Sequence, residues 1–338
     1  MRKNRGFNSI VLLTVSLVIF IILASMIYYE IIGEYYGSIL VLSGIYIILA
    51  LSLNLITGFT GQLALGQAGF MAIGAYTSAI LAMRLNLPIF LAIIGGGLVS
   101  AFFGIIIGFP TLRLRGDYLA ITTLGFGEII RVLIINLEGL TGGASGLKGI
   151  PSLYQSDNFI LNLVVNFTWV YSFVIIIIIL VSNLIKSSPG RAIISIREDE
   201  IAANSMGINV PYYKMISFTF AAFIAGIGGA LYAFYQGYLD PNMSGFLNSV
   251  NFVVIVVLGG MGSITGTILA GIAFTYIQEL LRIFGDLRLV IFGLLLMLLM
   301  LFWQKGIMGT KEISIVNLVR KFLKFEGTST NNSKEVKK

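Results

Sequence analysis

The chain has 338 residues, 57% hydrophobic and 11% charged, with a mean hydropathy of +0.95 and a formal charge of +7. A soluble domain carries about a quarter charged residues, so the composition is that of a polytopic membrane protein, and the positive balance reads as a one-sided basic surface, not a nucleic-acid footprint. Cysteine and histidine are both missing, which excludes disulfides, thiolate metal sites and histidine-based acid–base catalysis.

A helix needs about 20 residues to cross the hydrocarbon core, so charge-free runs convert into crossings. After a basic start over residues 1–8, Ser9 to Tyr29 predicts the first span. A secretory signal is the other reading of that segment, around Leu23-Ala24-Ser25. The apolar run is long for a signal and no A-x-A site ends it, so a retained span is expected. Tyr35 to Met83 holds two spans, broken between Thr57 and Gln67 where Gly58, Gly61 and Gly66 interrupt and Gln62 and Gln67 bring amides. Leu85 to Leu112 is the fourth and Tyr118 to Asn136 the fifth, with Glu128 and Arg131 inside it. Asn158 to Ile185 and Met215 to Leu239 follow. Pro241 to Gln278 is again too long for one helix and is broken at Gly259, Gly260, Gly262 and Gly266. Leu289 to Gln304 closes the set, with Arg288 and Lys305 able to snorkel. The expected architecture is all-α, with about ten transmembrane helices over residues 9–304, two of them glycine-broken. The variant is eight spans plus a re-entrant hairpin in Pro241 to Gln278.

Lysine and arginine orient the spans. With the N-terminus cytosolic and the spans alternating, the cytosolic side receives 17 of the 22 cations: Arg2, Lys3 and Arg5, then Arg113 and Arg115, then Lys186, Arg191, Arg197 and Lys214, and eight in the tail 305–338. Glu30, Glu34, Glu138, Asp157 and Asp240 fall outside. Both termini are then cytosolic, and Pro241 to Gln278 must cross twice or dip and return. The end of the tail is polar and lacks aromatic residues, a composition expected of a disordered segment.

No G-x-x-x-x-G-K-[ST] stretch exists to cradle ATP, no row of carboxylates crosses the membrane, and no arginine ladder is present. A many-span protein with neither fuel site nor ion relay points to a partner that supplies the energy. The loop 186–214 offers a docking element. Ser195 to Gly207 reads as one short helix, with Ser195 and Glu198 as a capping box. Glu198, Asp199 and Glu200 occupy its first turn, Gly207 suits the left-handed C′ position and Pro211 stops continuation. Ile196, Ala202, Ala203 and Met206 share one face, with Asp199 among them. Docking to another protein and lying on the membrane surface both remain open for such a helix.

Ala202-Ala203 followed by Gly207 resembles the loop of ABC importer permeases that docks into the nucleotide-binding subunit, with Ile201 where that pattern has a glutamate. The wider chain resembles LivM-type permeases of branched-chain amino acid ABC importers. The matching segments run from Leu53-Asn54-Leu55 through Gly61 to Phe70 and Gly74-Ala75-Tyr76. They continue with Gly116 to Arg131, Thr141-Gly142-Gly143, Gly149-Ile150-Pro151 and Ser188 to Arg191, and end with Gly226 to Ala233 and Leu258 to Ser263. The resemblance implies a permease subunit in the cell membrane with no cofactor of its own. Its implied partners are ATPase subunits, a second related permease and an external substrate-binding protein, and its cargo is a small zwitterion. Relatives that move urea or short amides share much of the pattern.

The two glycine-broken runs fall in opposite halves of the chain, the usual pointer to a midplane pathway. Gly58, Gly61, Gly259 and Gly262 expose backbone there, and Asn54, Gln62 and Gln67 add amides. Close helix packing through small residues and interhelical hydrogen bonding explain the same residues equally well. Glu128 and Arg131, spaced i, i+3, read either as a pathway contact for a zwitterion or as a structural pair locking the span to its neighbour. A self-sufficient carrier using Glu128 or Glu279 for ion coupling is the rival from another class.

Overall fold

Small residues at helical spacing decide which helices touch in this protein. The computed structural model describes residues 24–29, 33–111, 114, 116–154, 158–287, 290–294, 297, 301 and 306–309. Its helices are α1 (Glu34–Asn54), which continues into a π-helical turn (Leu55–Phe59), α2 (Gln67–Leu85), α3 (Ile89–Thr111), α4 (Asp117–Asn136) and the short α5 (Glu138–Thr141). They continue with α6 (Phe159–Lys186), α7 (Ser188–Glu198), α8 (Glu200–Ser205), α9 (Val210–Gln236), α10 (Phe246–Gly259) and α11 (Ile264–Leu280). Seven helices among the described residues are long and apolar enough to cross a membrane, and α10 is a shorter apolar helix. The chain is a multi-pass, mostly helical membrane protein. The seven match the expected second to seventh spans and the second half of the Pro241 to Gln278 pair. Most of the expected first and tenth spans, both termini and the tail beyond residue 309 lie outside the described residues.

The stripe Ala92, Ile93, Gly96, Gly97, Ser100, Gly104, Gly108 and Thr111 is the buried face of α3, while Leu91, Leu98, Phe102, Ile105 and Phe109 are exposed. This is the membrane arrangement, in which large apolar groups face lipid and small ones allow backbones to approach. The stripe packs on α2 and α9. A Cβ on Gly226 would lie 2.6 Å from the Ser100 Cβ and 2.9 Å from the Gly97 Cα, so only glycine fits at that crossing. The Ser100 hydroxyl lies 2.8 Å from the Ala222 carbonyl and 3.0 Å from that of Phe70, tying the three helices where no water can. Helix α1 is the most buried span, with α6, α9, α10 and α11 around it.

The bundle has two distinct ends. At one, β1 (Leu147–Lys148) pairs antiparallel with β2 (Tyr238–Leu239), Leu147 opposite Leu239. At the other lie α7 and α8. Helix α10 begins just after β2 and ends at Gly260–Gly262, beside Arg197 at the end of α7. It therefore leads from the first end to the second, and α11 returns. With 14 residues α10 spans only about 21 Å. The reason is that its entry turn, Pro241–Ser244, is sunk into the bundle: Pro241, Met243 and Ser244 are buried, and a Cβ on Gly127, midway along α4, would lie 3.2 Å from the Ser244 carbonyl oxygen.

Candidate functional site

The loop between α6 and α9 is built by two side-chain caps. Ser187 caps α7 by accepting from the Gly190 N–H at 3.3 Å, with Pro189 in the first turn. The Asp199 carboxylate accepts from the N–H groups of Ile201 and Ala202 at 2.8 and 3.0 Å and so starts α8. The continuous helix expected from Ser195 to Gly207 is thus two helices, broken at Asp199, whose φ of −158° and ψ of 112° are extended. Ser195 cannot serve as the cap because it sits inside α7 with its hydroxyl donated to the Ala192 carbonyl at 2.8 Å. Gly207 does take the left-handed conformation, with φ +81°.

The break also changes which face is free. Ile196 and Ala203 are buried together with Val210, each 4% exposed, so the expected face of Ile196, Ala202, Ala203 and Met206 is split, two of its residues turning inward. The exposed surface instead carries Glu198, Ile201, Ala202 and Met206, the last 83% exposed. Glu200 is committed to an ion pair: its carboxylate accepts from the Lys214 Nζ at 2.8 Å, and the lysine side chain is only 5% exposed. A Cβ added at Gly207 would meet no atom within 4 Å, so the cost of a side chain there is chiefly backbone strain. Gly207→Val is expected to cost about 1–2 kcal/mol locally. Hydrogen exchange should show faster exchange at Gly207 and Ile208, whose N–H groups bond the Asn204 and Ala203 carbonyls, with the long helices unchanged.

The two glycine breaks meet each other beside this loop. Asn54, fully buried at the end of α1, donates to the Ser263 carbonyl at 3.0 Å and the Thr267 hydroxyl at 2.9 Å, and accepts from the Gly262 N–H at 2.9 Å. Arg197 reaches the same point from α7, donating from Nη1 to the Gly58 carbonyl at 2.8 Å. Gly61 lies against the Arg197 side chain, and Gly259 abuts Gly266 across the α10–α11 turn. Asn54, Gly58, Gly61, Gly259 and Gly262 are therefore brought together, next to the α7–α8 loop. Asn54 is saturated by the α10–α11 turn and acts there as a tie between helices.

Gln62 and Gln67 lie on the segment that climbs from this point to α2. Helix α2 begins deeper, since Gln67 donates to the Ser52 hydroxyl, two turns before the break and about 9 Å inward. Along the way the Leu65 N–H donates to Thr123 Oγ1 at 2.9 Å and the Ala68 N–H to Ser249 Oγ at 3.3 Å. Buried polar atoms normally have partners. Yet Thr57 Oγ1, both amide atoms of Gln62 and Gln67 Oε1 have none, and these are most of the orphaned buried side-chain atoms among the described residues. Glu128 and Arg131 stand apart from this seam. They pair with each other at 2.7 Å on α4, each more than a third exposed, and the pair is made within one helix without bridging to a neighbour.

In the sequence Arg197 and Lys214 stand out only as orienting cations, and Ser52, Thr123, Ser249, Ser263 and Thr267 do not stand out as site residues. Lys214 finds Glu200 14 residues away, and the others have partners 58 to 213 residues away, so no local spacing marks them.

A family model described as "Branched-chain amino acid transport system / permease component" matches residues 35–302. The chain is 38% identical over 293 residues to the high-affinity branched-chain amino acid transport system permease protein LivM of Salmonella typhimurium, covering 78% of this chain and 68% of that protein. It is equally similar, at 38% over 296 residues and 79% and 68% coverage, to LivM of Escherichia coli K12. A probable branched-chain amino acid transport permease protein LivM of Methanocaldococcus jannaschii is 24% identical, with 86% of this chain and 97% of that protein covered. No solved structure matches. The extent of the family match and the identity to two LivM proteins agree with the many-span helical fold: this chain belongs to the family of permease components of branched-chain amino acid transport systems.

Proposed function

We propose that the chain is the membrane-spanning subunit of an ABC importer for branched-chain amino acids. It works with separate ATPase subunits, a second related permease and an external substrate-binding protein, and holds no cofactor itself. The observation that carries this reading is the family match over residues 35–302, which includes both glycine breaks and the α7–α8 loop. About ten spans, with both termini and α7–α8 on the cytosolic side, fit the distribution of lysine and arginine. The ATPase docks on the surface of Glu198, Asp199, Ile201, Ala202, Met206 and Gly207, with Glu200 and Ala203 shaping it from beneath.

An α-amino acid needs acceptors for its ammonium, donors for its carboxylate and an apolar wall. The unpartnered amide of Gln62 supplies both kinds of group along an otherwise apolar seam and Gln67 Oε1 adds an acceptor, and a charged cargo or its water would satisfy them in transit. Glu128 and Arg131 lie about halfway along α4, where exposure to lipid is costly. A face turned towards the second permease and a wet pathway removes that cost, and there the pair would meet a zwitterion of matching charges.

Two experiments test this. Titration of the cognate external binding protein should give tight binding of leucine, isoleucine or valine and none of urea or acetamide; tight binding of urea alone would move the system to the amide-carrying relatives. For orientation, the absence of native cysteine allows single labels. Lys148→Cys should react with a membrane-impermeant thiol reagent in intact cells, and Met206→Cys only after the membrane is opened. The reverse pattern would invert the topology and remove α7–α8 from the ATPase.

A further inference from the structure

We infer that Arg197 is the positioning residue through which movement of the α7–α8 loop reaches the two glycine-broken spans; the inference rests on the importer reading above. The geometry is a three-layer clasp. Arg197 belongs to the loop, Gly58 to the π-helical turn that ends α1, and Gly262 to the α10–α11 turn. The guanidinium donates to the Gly58 carbonyl at 2.8 Å. Asn54 then binds the Gly262 N–H at 2.9 Å from the other side. One loop cation is thereby linked to both breaks.

The slot is shaped for this group. A Cβ on Gly262 would lie 2.5 Å from Arg197 Nη1, and one on Gly61 would lie 3.1 Å from Arg197 Cγ. A side chain at Gly262 would displace the guanidinium from its place, and one at Gly61 would crowd the arginine stem. The electrostatics agree, because the last carbonyls of a helix lack internal partners and carry partial negative charge. Leu55 and Ile56 have theirs satisfied locally, by the Thr60 hydroxyl and the Gln62 N–H, whereas Gly58 takes its donor from the loop. Glu198, 73% exposed, stands 4.0 Å from the guanidinium, too far for a hydrogen bond. The carbonyl is therefore the closer partner. A shift of α7 beyond what the arginine side chain can follow breaks this bond or drags the π-helical turn with it, and through Asn54 the α10–α11 turn as well. Lysine keeps the charge but lacks the planar fork that fills the slot.

The test has two arms. In the first, the purified chain in lipid nanodiscs is compared with Arg197→Ala and Arg197→Lys by hydrogen exchange. Arg197→Ala should speed exchange in peptides covering 55–62 and 258–266 roughly tenfold, as expected from losing a charge-assisted hydrogen bond, with the 145–150 region unchanged. Unchanged exchange at both breaks overturns the proposal. In the second, complexes with the ATPases, second permease and binding protein are reconstituted, and uptake and ATP hydrolysis are measured in the same vesicles. Arg197→Ala should retain its ATPase subunits and still hydrolyse ATP, but move at least about fivefold less substrate per ATP, a loss in the range of ordinary coupling energies. Arg197→Lys should restore part of the ratio. A parental ratio in Arg197→Ala, or loss of its ATPase subunits, overturns the positioning role. A parent complex without ATP-driven uptake would instead refute the importer reading, and the exchange arm would still decide whether Arg197 holds the breaks.

Discussion

Glu200→Ala is expected to lower stability by about 3 kcal/mol and to release α8 from the bundle. The Lys214 ammonium, on a side chain only 5% exposed, has the Glu200 carboxylate at 2.8 Å. Removing the carboxylate strands a buried positive charge, which costs more than the pair itself contributes. The figure sits at the low end of that class because the Glu200 side chain is 31% exposed and water can follow into its place. Thermal unfolding in detergent should show a clearly lowered Tm. The double variant Glu200→Ala, Lys214→Met should recover most of it, because the stranded charge is then gone. If the single variant unfolds at the parental temperature, the pair is not what seats α8.

Asn54→Ala should cost about 2–3 kcal/mol and disconnect α1 from the α10–α11 turn. The alanine leaves the buried Gly262 N–H without an acceptor, and removes a donor from the Ser263 carbonyl and the Thr267 hydroxyl. Those last two still have each other at 2.8 Å, so the orphaned N–H dominates the loss. Fluorescent labels on the α7–α8 loop and the α10–α11 turn should report a broadened distance distribution together with reduced transport. A variant with parental stability and a sharp distance would show that the turn is held by packing alone.

The spans were legible in the sequence because the rule that sets them is local. Charge-free runs of the right length and glycine interruptions place α1 to α4, α6, α9 and the α10–α11 break within a few residues. The left-handed Gly207 was readable for the same reason. Cap selection at Asp199 was not, since Ser195 and Asp199 both offer an oxygen. The choice depends on α7 being already under way from Ser187, so that Ser195 falls inside a helix. The inward turn of Ala203 depends on Val210 and Ile196, contacts that close only once the break exists. Two interrupted runs indicate that backbone is exposed, but not what it meets. The meeting of the two breaks is set by Arg197 and Asn54 reaching across more than a hundred residues. The seam of Gln62, Gln67, Thr123 and Ser249 was half visible, the amides being conspicuous in an apolar run and the hydroxyls not.

On the proposed function, this chain moves its cargo with energy supplied by a partner. Proteoliposomes containing the chain and the second permease, loaded with and without the ATPase subunits and ATP, and supplied outside with binding protein and labelled leucine, test it most directly. Accumulation is expected only when ATPase subunits and internal ATP are both present, with no response to an imposed proton or sodium gradient. Accumulation by the permease alone down such a gradient, abolished by Glu128→Gln or Glu279→Gln, would contradict it and make the chain a self-sufficient carrier.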